Sequence, residues 1–281
     1  MLQIGEKIIF ENIQFQRGNN TRRIKQALEN DLRRFKMLAS DEEFDITYDY
    51  LYNNKSVRDS YFTVNLFPVD FLQFSRYAEP VFTNNIQLEL RWHLKLFSKF
   101  SKEISLFVKI KENYDELILE EKYELALECI YEIEAQFGIS YWVIENKIFL
   151  FNKLNQEAKE QIFDKTKNEF MSTIFGFFDM KASDGLSARD YEYLVRREVA
   201  KFKRIYPDNR EVIDCYSYFI APFLFAMTDE SICHLLKYVC RLPLVDRYLS
   251  VLDIIEHYLA QDSYRKENLW LKDYIKLYIS F

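Results

Sequence analysis

Glycine and proline are scarce in this 281-residue chain, five of each. Average usage would put about 30 of the two together in a protein this long. So few breakers leave little material for tight turns, which argues against a many-stranded sandwich and for helices. No glycine occurs between Gly18 and Gly138, and no proline between Pro80 and Pro207, so long uninterrupted helices fit that interval. There is no G-x-G or G-K-[ST] phosphate loop, which disfavours nucleotide hydrolysis of a known type. Histidine is limited to His93, His234 and His257, too few for extensive acid–base work. The longest apolar run, 218–227, is ten residues and contains Pro222, whereas a membrane helix needs about 20. Nothing at the start reads as a signal peptide, and Cys129, Cys215, Cys233 and Cys240 are sparse, so a cytoplasmic protein with reduced thiols is expected. The net charge of -6 argues against a general polyanion binder.

What is abundant is aromatic: Phe, Tyr and Trp make up 17% of the chain. Each buried ring removes about 150–250 Å² from water, so rings should dominate the core. The bias to Phe, Tyr, Ile, Lys and Asn, with only 12 Ala, is what AT-rich codons produce, as in many bacterial accessory genes.

Periodicity divides the chain into 1–80, 81–180 and 186–281. In the first part, 8–15 and 61–66 read as short strands, and 21–38 as a helix with Ile24, Leu28, Leu32 and Phe35 on one face. Ser40 three residues before Glu43 predicts a capping box for the helix that follows. In the second part, helices are expected near 84–100, 103–120, 122–137, 140–153 and 155–170. The stretch 176–187 reads as a boundary, with Ser183, Asp184 and Gly185 as turn residues. Beyond it, Ser187 and Asp190 suggest a capped start, and about five helices follow, separated by Pro207, Pro222 and Pro243. Residues 270–281 keep a helical pattern to the last residue, compatible with a domain of a longer protein. The fold class expected is mainly α: a helical-hairpin repeat or α-α superhelix-like bundle with room for a small mixed α+β N-terminal part.

One internal repeat stands out. Ile110, Leu117, Ala126 and Ile130 recur 32 residues later as Trp142, Phe149, Ala158 and Ile162. The internal spacing is 7, 9 and 4 both times. Such self-similarity marks stacked helical hairpins that cannot bury their apolar faces alone. Over about 107–170 this pattern resembles the tetratricopeptide repeat, whose two helices cross closely at a small residue. Where that family has a small residue four after its Trp position, this chain has Tyr114 and Asn146, and where it favours Pro it has Gly138 and Phe170. The resemblance implies a concave face that holds a peptide or a partner helix.

Two stretches are basic. Arg22, Arg23, Lys25, Arg33, Arg34 and Lys36 lie on one helix; Arg189, Arg196, Arg197, Lys201, Lys203 and Arg204 lie on another. On the second, Arg197, Lys201 and Arg204 share a face opposite the stripe Tyr191, Val195, Val199, Phe202 and Tyr206. These three are the candidate partner-binding residues. Cys233 and Cys240 sit two turns apart, about 10 Å along a helix, too far for one zinc ion without other elements. No catalytic residue, cofactor or metal is expected. The reading is a non-catalytic protein–protein interaction module or scaffold, its partner another protein or a second copy. The alternative is a nucleic-acid-associated regulatory or anti-phage defence component using 22–36 and 189–204.

Overall fold

The computed structural model describes residues 2–16, 21–74, 81–154, 162, 169–183, 186–207, 210–222 and 227–260. Every regular element among them is helical and none is a strand. The helices are α1 (Leu2–Gln16), α2 (Thr21–Leu38), α3 (Asp41–Asn53), α4 (Lys55–Val57), α5 (Phe71–Phe74), α6 (Ile86–Lys99) and α7 (Ser101–Leu119). Then come α8 (Tyr123–Phe137), α9 (Tyr141–Lys153), α10 (Glu169–Ala182), α11 (Ala188–Ile205), α12 (Arg210–Ile220), α13 (Asp229–Val239) and α14 (Leu244–Ala260). None of the described helices is long and apolar enough to cross a membrane.

Local signals placed most of these boundaries. Ser40 closes the capping box with Glu43 at the start of α3. Ser140 accepts from Val143 N–H, and Ser187 accepts from Asp190 N–H. Such caps satisfy N–H groups that the first helical turn leaves without partners.

Three expectations are corrected. Residues 8–15 belong to α1, not to a strand, with Ile8 buried against α2 and α3. Residues 61–66 are no strand either: Arg58–Phe62 form a π-type turn continuing α4, and bends follow. In both stretches a short apolar run was ambiguous by period, and packing of one face decided for helix. The boundary expected at 176–187 begins later, because α10 runs through Gly176 to Ala182. Phe175, Phe177 and Phe178 are all buried, and that burial outweighs the roughly 1 kcal/mol penalty of a mid-helix glycine. The helix expected over 155–170 lies mostly outside the described residues, as does 261–281.

One continuous apolar core runs through all three sequence segments. Its N-terminal end is a knot of rings: Tyr48, Phe62 and Trp92 lie with centroids 4.8–4.9 Å apart, and Phe35 stacks on Phe44 at 5.4 Å. Against this knot sits a buried ion pair. Lys36 Nζ donates to Glu89 Oε2 at 2.8 Å and to the Val81 carbonyl at 2.8 Å, and lies 4.4 Å from the centre of the Trp92 ring. The other oxygen of Glu89 accepts from the Thr83 backbone N–H and hydroxyl. Lys36, expected on a solvated basic face, is therefore inside the protein.

The segment after Phe62 is pinned from two sides. Ile139 N–H donates to the Pro68 carbonyl at 2.7 Å, and Leu244 N–H to the Leu66 carbonyl at 2.9 Å. The acidic stretch at 41–49 meets α6, with Asp45 and Asp49 paired to Lys95 and Asp49 also to Lys99.

In the centre, α7 packs on α8, α8 on α9 and α9 on α10. Ala126 and Ile130 are fully buried and Ile110 nearly so; Leu117, Trp142, Phe149 and Ile162 pack half-buried against the core. Ala158 lies outside the described residues. One pair of equivalent positions of the 32-residue offset touches: the Tyr114 hydroxyl donates to Asn146 Oδ1 at 2.6 Å. The Tyr114 ring also meets that of Trp142 edge-on at 5.5 Å. Two residues that depart from the small-residue pattern thus satisfy each other.

Candidate functional site

Helix α11 has two chemically distinct faces. Tyr191, Val195 and Phe202 are buried and Val199 is half-buried, with the Tyr191 hydroxyl donating to the Ile220 carbonyl at the end of α12. On the outside, Arg197, Lys201 and Arg204 are exposed, and Tyr193 beside them is 65% exposed. Arg197 and Lys201 both reach Glu198, at 3.1 and 3.2 Å. The hydrogen bond from Lys201, then that from Arg197, holds the Glu198 carboxyl below its usual range. Arg196 pairs with Glu192 one turn back, and Lys203 with Asp214. The other basic stretch is divided: Lys36 is buried, Arg33 donates to the Phe82 carbonyl and Lys25 pairs with Glu29, while Arg23 and Arg34 are exposed.

A second feature lies where α9, α10, α12 and α14 meet. They surround an open groove of about 480 Å³, solvent included. Its floor is built by an unusual cap. Asp246, in the first turn of α14, accepts from Tyr141 N–H at 2.7 Å and Trp142 N–H at 3.0 Å. Ser140 takes Val143 N–H with its hydroxyl and Ile144 N–H with its carbonyl. The first-turn donors of α9 are thus satisfied, two of them by a carboxylate from a helix 105 residues away. Tyr141 and Phe178 are buried beside Asp246, while Trp142 and Phe219 are only half-buried. Tyr141 stacks on Phe219 at 5.2 Å. The Tyr218 hydroxyl donates to Asp253, and Lys181 reaches Glu145 at 2.6 Å. Among the described residues, the groove lining thus includes three carboxyl groups, of Glu145, Asp246 and Asp253, and no lysine or arginine.

Burial pushes the Asp246 carboxyl up to about 7, against the pull of its two backbone donors; nearby Glu145 pushes the same way. A carboxyl raised on folding binds its proton more tightly in the folded state. Its contribution is therefore fully present below the ordinary value of 3.8 and is lost as pH rises through about 7. Each unit within that window removes at most about 1.4 kcal/mol. His93, buried with its pKa lowered, acts in the opposite sense below about 6.5, so the comparison of wild type with Asp246→Asn isolates the carboxyl. The melting-temperature advantage of the wild type over that variant is expected to shrink between about pH 5 and about pH 8. An advantage that grows over the same range contradicts this account.

His93, the one histidine in the core, is fully buried. Burial, then the nearby positive charges of Arg247 and Lys36, lowers its pKa well below the ordinary value. Cys233 and Cys240 are half-buried on α13 and at its end, and among the described residues no three His, Cys, Asp or Glu side chains converge on a metal position. The groove was missed by sequence reasoning, although α14 carried a signal. Asp246, Ser250 and Asp253 form a polar stripe at offsets of 4 and 3 on a mostly apolar helix. Comparison with protein-family models, with curated proteins and with solved structures finds no match to this chain.

Proposed function

We propose that this protein is a non-catalytic interaction module, with a tetratricopeptide-like centre and a partner-binding face on α11. The observation that carries the reading is that outer face, where Arg197, Lys201 and Arg204 stand exposed with Tyr193 while the opposite stripe anchors the helix. Arginine and tyrosine are the residue types that supply much of the binding energy in protein interfaces. The repeat reading is supported by the hydrogen bond of Tyr114 to Asn146 across the 32-residue offset. An acidic protein surface suits a face of this charge.

Reversing Arg197, Lys201 and Arg204 together to Glu tests this. Exposed charges contribute about 0–1 kcal/mol each, so the variant should melt close to the wild type. Its association with the partner that wild-type protein retains from its native extract should slow markedly, most of all at low salt. Undiminished partner binding by a folded triple variant refutes the proposed face. The alternative, a nucleic-acid-associated regulatory or defence component, draws on the same exposed cations of 189–204 together with Arg23 and Arg34 of 22–36. It is weakened by the burial of Lys36 and by Glu198 between Arg197 and Lys201. Binding of labelled DNA or RNA at roughly 50 mM salt that collapses steeply as salt rises would favour it.

A further inference from the structure

We propose that the groove between α9, α10, α12 and α14 receives an arginine side chain presented by a partner protein, a site separate from the α11 face and independent of it. Charge selects the class of ligand. Among the described residues, Glu145, Asp246 and Asp253 line the groove without a lysine or arginine, a lining that favours a cation over an anion. An apolar ligand would cover carboxylates without pairing them, which is costly. Lys181 of α10 already pairs with Glu145 at 2.6 Å, so the carboxyl groups left to an incoming cation are those of Asp253 and Asp246.

The rings select among cations. Trp142 and Phe219 are half-buried, so part of each ring surface remains open to a ligand. A guanidinium is planar and weakly hydrated: it can stack on such rings while its edge donates two parallel bonds to a carboxylate. A compact ammonium holds its water more tightly and donates no fork. The acceptors are fixed before any ligand arrives. Asp246 is clamped by the Tyr141 and Trp142 N–H groups, and the Tyr218 hydroxyl holds Oδ2 of Asp253. The other oxygen of Asp253 has no partner among the described residues. Preorganised acceptors reduce the ordering cost of binding.

The test uses a capped Gly-Gly-Arg-Gly-Gly peptide and its lysine and citrulline counterparts, titrated into the full chain while the Trp indole N–H resonances are followed by NMR. Trp142→Phe assigns its signal. The arginine peptide should shift the Trp142 resonance saturably. Citrulline, of the same shape without charge, should bind at least about tenfold more weakly, and so should the arginine peptide with Asp253→Asn. Asp253 is exposed, and far-UV circular dichroism verifies that the variant folds. Equal binding of citrulline, unchanged affinity in folded Asp253→Asn, or no shift at millimolar arginine peptide overturns the proposal. Lysine binding as tightly as arginine overturns the guanidinium assignment.

Discussion

Replacing Glu89 by Gln is expected to cost about 3–5 kcal/mol of stability, because it leaves the Lys36 ammonium buried without a counter-charge. Both side chains are at most 4% exposed, so water cannot take over the lost partner. Glu89 does more than neutralise Lys36. It also collects the N–H and hydroxyl of Thr83, fixing the chain just before α6, while Lys36 holds the Val81 carbonyl. Gln can accept from only one side with its oxygen, and its amide then points a donor at either Lys36 or Thr83. Replacing both members with Lys36→Met and Glu89→Leu should recover part of the loss, since an apolar pair needs no desolvation, although the Thr83 donors and the Val81 carbonyl lose their partners. Urea denaturation of the two single variants and the double variant measures this. A Glu89→Gln cost below about 1 kcal/mol shows that Lys36 reaches solvent when unpaired, and the buried-pair account then fails.

Gly138→Ala should be nearly as severe, at about 3 kcal/mol or more. Gly138 has φ +77° and ψ -168°, a region open to glycine and strained for any residue with a Cβ. The added methyl would also lie 2.3 Å from the Pro68 carbonyl oxygen and 2.9 Å from the Pro68 nitrogen. Those are backbone atoms, so neither can swing aside. To make room, the α8–α9 turn must leave the 66–70 loop, and the Ile139 to Pro68 hydrogen bond goes with it. A melting temperature roughly 6 °C or more below wild type is the expected reading, taking about 2 °C per kcal/mol for a chain of this size. An alanine variant that melts with the wild type shows that the turn tolerates a side chain and that the close approach is not structural.

The helices that were legible in the sequence are those whose signals are local. The stripe of Leu28, Leu32 and Phe35 gave α2, Ser40 with Glu43 gave the start of α3, and the alternation of Val195, Val199 and Phe202 with Arg197, Lys201 and Arg204 gave both faces of α11. Misreadings fell where local chemistry points one way and burial another. The apolar run of α1 fits a strand or a helix until its partners are known, and Gly176 reads as a break until Phe175, Phe177 and Phe178 are seen to be buried around it. Basic residues on α2 looked alike, yet Lys36 is internal and Arg34 is exposed.

Composition and periodicity alone determined a helical protein with an aromatic core, a hairpin-like centre and a basic outer face on one late helix. These rest on the spacing of neighbouring residues, which the 3.6-residue turn converts directly into a face. The tertiary structure decided the pairings across the chain: Lys36 with Glu89, Gly138 against Pro68, Asp246 on the first turn of α9, and hence the acidic aromatic groove. No local pattern encodes them, because each joins residues 53 to 105 positions apart, brought together only when the shared apolar core closes the intervening loops.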